Sequence, residues 1–253
     1  MTDTDTSLED IRREIDAIDD GIVDLLVRRA AAQGRVKSLK GASGSLAVSP
    51  FRPSREAIVL RRVIARSQGR VPAGLLVRLW RSILSASTLS QAPVELLVSR
   101  TVASDCGLQR LLAVHFGEMK QSVVDDEVSV LAASASTPGN LGVTRASGWQ
   151  DAFLAGAAGN ARVIGVLPTM VNDEIPDLLL WGHASTEPTG KDCTLLVTRQ
   201  KLAAKAKWSS ASDNHVLSCL SGFLDEAALR GMGIGLGASA RAAGRFPDQI
   251  EGM

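Results

Sequence analysis

An arginine stands where a helix should be greasy. Leu8, Ile11, Ile15, Ile18, Ile22, Leu25, Ala32, Val36 and Leu39 recur in steps of three and four, and Arg29 occupies the gap in the middle of that seam. A guanidinium in an apolar seam is costly unless an anion meets it there. Lys40 follows Arg29 by eleven residues, about 20° beyond three full helical turns, so the two share a face. Arg12 lies roughly 100° off that face and would reach the same anion more naturally from a neighbouring subunit. Further along, Arg52, Arg55 and Glu56 stand at i, i+3 and i+4, and Ser87 and Gln91 at i and i+4 interrupt another apolar stripe. Singly, each of these reads as a solvated charge or a satisfied buried polar group. Together they offer an interior several cations, an amide, a hydroxyl and one carboxylate. That set points to a site for a small anion.

Long helices must carry these residues. Ser7 can cap the amide of Asp10 while Asp10 reaches back, which opens the first helix. Its proline-free run extends roughly 50 Å and needs partners along its whole length, for which a second copy of itself is one solution. After the loop GASGSLAVSP, a second helix starts at Pro53 and ends near Gly69. A third runs from near Pro72 to before Pro93, with Leu76, Trp80, Ile83, Ser87 and Gln91 inward.

The composition changes at Pro93. Residues 1–92 read as a helical domain that is self-contained, so that a chain ending near Ala92 should stay folded and dimeric. Residues 93–253 read as an appended α/β domain, giving an α + α/β fold. Strands are expected at Val94–Val98, Leu141–Thr144, Val163–Leu167, Leu178–Trp181 and Thr194–Thr198, with helices at Leu108–Phe116, Gln150–Ala157 and Val216–Leu229.

Composition narrows the partners. The chain has 253 residues, 45% hydrophobic and 22% charged, with a formal net charge of +1. That balance gives no general pull toward nucleic acid or membrane. The N-terminal text has no basic-then-apolar leader pattern, and no stretch is apolar enough to span a bilayer. Cys106, Cys193 and Cys219 have no metal-ligand spacing and read as buried free thiols of a reducing, cytoplasmic setting. His115, His183 and His215 are scattered; Asp213 with His215 could form a dyad but lacks any nucleophile motif, so His215 reads as a surface histidine. Gly235–Ala240 fits G-x-G-x-x-A, but without a preceding strand it is not a nucleotide loop.

The texts IRREIDAID, LLVRRAAAQGRVKSLK, RPSREA and LWRSILSASTLSQA resemble the all-helical (AroQ-class) chorismate mutases over residues 7–92. The resemblance implies an intertwined helical homodimer. It implies that Arg12 comes from the partner subunit to bind a substrate carboxylate, and that Arg29 grips a carboxylate within its own subunit. Lys40 and Gln91 then hydrogen-bond the ether oxygen of the breaking bond, and Glu56 accepts the ring hydroxyl with Arg55 in support. Ser87 lies close to a carboxylate. Arg52 departs from the pattern, standing where many members carry an aspartate near the ring hydroxyl. In the second part, VELLVSR, LQRLLAVHF, LGVTRASGWQDAFLAG and ARVIGVLPT resemble the first subdomain of prephenate dehydratases. The Thr-Arg-Phe motif of that family is missing, its nearest text being Cys193-Thr194-Leu195, so the domain is expected to be a degenerate or regulatory one.

The chemistry implied is the rearrangement of chorismate to prephenate. The shift is unimolecular, so no nucleophile, metal or cofactor is called for. A compact conformer and donors at the ether oxygen suffice. Two rivals share the scaffold: a lyase of the same fold acting on isochorismate, and a regulatory protein that only binds chorismate.

Overall fold

The computed structural model describes residues 7–42, 50–170, 175–202, 204–212 and 214–251. The loop from 43 to 49 and Asp213 lie outside the described residues, as do the side chains of Val36, Leu39 and Lys40. The chain forms two compact units, Met1–Leu46 and Ala47–Met253.

The first unit is built on α1 (Leu8–Ala42, 35 residues). The expected capping box is present: Asp10 N–H donates to Ser7 Oγ at 3.2 Å, and Ser7 N–H donates to Asp10 Oδ2 at 3.1 Å. Between Leu8 and Leu25 the apolar seam of this helix is exposed, from Ile11 at 43% to Leu8 at 65%.

The second unit begins with α2 (Pro53–Ser67) and α3 (Ala73–Gln91). Proline opens α2, where no backbone donor is needed. The helix closes on Gln68 in the left-handed conformation, whose N–H bonds Ala65 O. Leu60 and Ile64 of α2 pack on Leu76 and Val77 of α3, and Ile250 from the C-terminal end joins that cluster. Arg61 extends from α2 to Thr189 Oγ1 at 2.7 Å, Lys191 O at 2.8 Å and Asp248 O at 2.9 Å. Ser54 exchanges hydrogen bonds of 2.8 Å with the backbone of Glu187. Packing divides the chain at Leu46, with α2 and α3 laid on the α/β body.

That body is one nine-stranded sheet. Its strands are β1 (Glu95–Ser99), β2 (Lys120–Val124), β3 (Leu141–Thr144), β4 (Arg162–Leu167), β5 (Leu178–Gly182), β6 (Asp192–Thr198), β7 (Trp208–Ala211), β8 (Val216–Ser221) and β9 (Ala240–Pro247). The order is β2-β1-β3-β5-β4-β9-β6-β8-β7. Parallel pairing of β1 with β2 and β3 requires crossovers. They are made by α4 (Arg100–Ala103) with α5 (Cys106–Phe116), and by α6 (Glu127–Ser136). Short helices α7 (Gln150–Leu154) and α8 (Glu226–Gly231) complete the unit. The α + α/β class is as expected, and all five expected strands form.

Where α6 lies on β3, a Cβ at Gly142 would fall 2.1 Å from Ser134 Oγ, so only glycine fits. The same holds where β9 meets β4, since a Cβ at Gly244 would lie 1.9 Å from Val163 O.

Two expected helices are corrected. Gln150–Ala157 shortens to α7. Val216–Leu229 divides into β8 and α8, because Leu217 to Leu220 are buried on both faces and Val216–Ser221 pairs in register with Cys193–Thr198. A run buried on both faces carries no alternation to betray it as a strand. Gly235–Ala240 leads into β9 rather than into a helix, so it has no helix N-terminus for a phosphate.

Candidate active site

On α1, Arg12 is exposed and Arg29 half-buried. Burial lowers the Arg29 guanidinium below its usual range. Lys40 lies within the helix, its side chain outside the described residues.

In the second unit, Arg52 is the residue before α2 and Arg55 is in its first turn; both are exposed, and Arg52 makes no side-chain cap. Glu56, also in the first turn, turns inward. Its Oε2 accepts from Arg81 Nη2 of α3 at 2.6 Å. Ser87 is buried, its hydroxyl donating to Ile83 O at 2.6 Å. One turn on, Gln91 Nε2 donates to Ser87 O at 3.2 Å. A carboxamide has two N–H donors, so this bond leaves one for a ligand.

Arg81 and His115 are the residues that sequence reading missed. Arg81 is 7% exposed and His115 8%. Arg81 Nη1 lies 2.8 Å from His115 Nε2, and His115 Nδ1 lies 3.0 Å from Thr169 Oγ1. Burial, with the charge of Arg81 beside it, holds the imidazole well below its usual range, so the ring is neutral. Arg81 follows Val77 by four residues and precedes Thr88 by seven, and all three are buried on one face of α3. His115 follows Leu108 and Leu112 on the buried stripe of α5. Periodicity alone could have placed both inside. His215, at 3% exposure, is likewise buried rather than superficial.

Glu56, Arg81, His115 and Thr169 line one cavity with Phe51, Leu60, Phe116, Ile164, Val166 and Gln249. Its walls are mostly apolar, which strengthens the ion pair at its polar end.

Cys193-Thr194-Leu195, the nearest text to a dehydratase motif, sits in β6. Thr194 is fully buried. Its hydroxyl donates to Gly222 O at 2.8 Å and accepts from Leu224 N–H at 2.9 Å. It ties strands together and faces no site. Cys193 and Cys219 are buried, whereas Cys106 is exposed at the start of α5, contrary to the reading of three buried thiols.

Among the described residues no helix is long and apolar enough to cross a membrane. No solved structure matches the chain. The bifunctional chorismate mutase/prephenate dehydratase of Stutzerimonas stutzeri is 32% identical over 96 residues, which is 37% of this chain and 26% of that protein. The chain thus spans about a quarter of the length of the curated relative it matches. Residues 11–92, which take in most of α1 and all of α2 and α3, match the family model described as chorismate mutase type II.

Proposed function

We propose that the protein is a chorismate mutase, converting chorismate to prephenate for aromatic amino acid biosynthesis. The observation that carries this reading is the family match over 11–92; the roles given to Arg12, Arg29, Lys40, Glu56, Ser87 and Gln91 follow from the resemblance of the texts around them to that family. Arg29, and Arg12 from a partner subunit, hold the two carboxylates. Arg55 supports Glu56, which accepts the ring hydroxyl, and Ser87 lies by a carboxylate. Lys40 and Gln91 donate to the ether oxygen as negative charge grows on it. Such donors in a dry site each contribute on the order of 100-fold in rate. Arg52, at a position often held by aspartate, leaves the ring hydroxyl to Glu56.

The working form is a homodimer with shared sites. Supporting this, α1 carries its apolar seam exposed from Leu8 to Leu25, and Arg12 lies off the Arg29 face by helical phase. The setting is the cytoplasm, where free thiols persist. The α/β body is a degenerate dehydratase-like or regulatory domain with no reaction of its own.

The test is the loss of chorismate absorbance on adding purified full-length protein, with product identified. Prephenate accumulates and no phenylpyruvate forms at neutral pH. Pyruvate release from isochorismate without mutase turnover would favour the lyase. Binding of chorismate without turnover would favour the regulatory protein. In mixing experiments, inactive Arg12→Ala and Arg29→Ala chains regain activity as heterodimers, because one of the two sites inherits neither lesion.

A further inference from the structure

A polar relay joins the α/β body to Glu56 of the candidate site. Glu56 Oε2 accepts from Arg81 at 2.6 Å, Arg81 Nη1 meets His115 Nε2 at 2.8 Å, and His115 Nδ1 meets Thr169 Oγ1 at 3.0 Å. Arginine has no acceptor, so His115 Nε2 must offer its lone pair to Nη1. The ring proton is therefore on Nδ1, which donates to Thr169. This fixes the tautomer without ambiguity: the other one would set two N–H donors against each other.

The imidazole is held at both nitrogens and by the Phe116 ring, which meets it at 4.5 Å and 67°. Ser85 of α3 donates its hydroxyl to the backbone carbonyl of His115 at 3.1 Å, which ties that residue's main chain to α3. A guanidinium is a rigid planar fork, so fixing Nη1 also fixes where Nη2 points. Nη2 in turn holds one oxygen of Glu56 and leaves the other to a ligand.

We propose that His115 is a positioning residue for Glu56: by accepting from Arg81 it sets the carboxylate that receives the substrate's ring hydroxyl, so the α/β body tunes substrate binding in the helical segment. The proposal rests on the mutase reading for its consequence, and on the relay for its geometry.

The experiment uses the full-length protein and four variants: His115→Phe, His115→Gln, Glu56→Ala and the double variant His115→Phe/Glu56→Ala. His115→Phe raises KM for chorismate about tenfold and changes kcat less than about threefold, as expected when a binding group is misaligned. His115→Gln keeps an acceptor for Arg81 and stays within about threefold of the parent KM. In the Glu56→Ala background, His115→Phe moves KM less than about twofold, because its route to the substrate is gone. An unchanged KM in His115→Phe overturns the proposal, and so does an equal rise in both backgrounds.

Absence of mutase turnover in the parent protein would sink the mutase reading alone. The relay is then read by NMR. His115 Nε2 resonates as an unprotonated ring nitrogen, and the Glu56 13Cδ signal moves in His115→Phe but not in His115→Gln. A protonated Nε2 in the parent protein overturns the relay even if His115→Phe fails to fold. An unmoved Glu56 signal in folded His115→Phe overturns it too.

Discussion

Arg81 and Glu56 pair across the α2–α3 helices at 2.6 Å, with side chains only 8% and 17% exposed. A pair this dry gains little by existing and costs much when halved. Arg81→Met should destabilise the protein by roughly 3 kcal/mol or more, because it strands a carboxylate among apolar walls. Adding Glu56→Gln should recover more than half of that loss. Urea unfolding of both single variants and the double variant measures the coupling; strictly additive losses would mean that the two side chains do not interact.

His115 gives acid sensitivity a definite sign. Its folded-state pKa lies below the ordinary imidazole value, which is about 6.5. The unfolded chain therefore binds a proton that the folded chain refuses. The resulting stability is complete above about pH 6.5 and is lost as pH falls toward the folded value. His115→Gln should flatten the fall in unfolding free energy between about pH 6.5 and 5 by up to one proton's worth of slope. Equal slopes in parent and variant would place a charged His115 in the fold.

Gln91 does not titrate, so the proposed donor to the ether oxygen works across neutral pH. Gln91→Glu donates only when protonated, and its rate should rise toward acid while the parent profile stays roughly flat. An unshifted profile in the variant would remove Gln91 from the ether oxygen.

The thiols separate by environment. Cys193 is pushed upward by its hydrogen bond with Cys219, then by burial, with Asp248 adding to both. Cys106 is exposed. Iodoacetamide under native conditions should label Cys106 and spare Cys193, and mass mapping checks this. Equal labelling at pH 8 would show that β6 opens readily.

A chain ending at Ala92 should lose stability and at least about tenfold in activity, against the expectation that the helical part is self-contained. Truncation removes Ile250 from the cluster of Leu60, Ile64, Leu76 and Val77, and it removes all three acceptors of Arg61. Circular dichroism melts of the fragment and the full chain decide it.

The helical part was legible because its signals are local. Ser7 with Asp10, Pro53 and the seam from Leu8 each act within a turn or two of chain, and the structure places α1, α2 and α3 where those signals put them. The strands Leu141–Thr144 and Leu178–Gly182 were legible as short apolar runs. Lys120–Val124 was not, because this edge strand opens on three polar residues and buries none of its five side chains, and Val216–Ser221 was not, because both faces are covered. In the site, polar residues that break an apolar stripe were visible, but Arg81 was passed over beside the stripe drawn through Trp80 and Ile83. Its partners are Glu56, 25 residues before it, and His115, 34 after it. Pairings that distant are settled by how the helices pack on one another and on the sheet, which no local pattern reports.

The division of the chain at Leu46, against a family match that ends at residue 92, bears on inheritance. The stretch passed on as a recognisable unit is not the stretch that folds as one. A foreign helical segment grafted in place of 11–92 would meet the host's β-body at Ser54, Arg61 and Arg81, whose partners are Glu187, then Thr189, Lys191 and Asp248, then His115. Compatibility between donor and host is decided at positions such as these, so helix and body must drift together: each constrains which substitutions the other can accept.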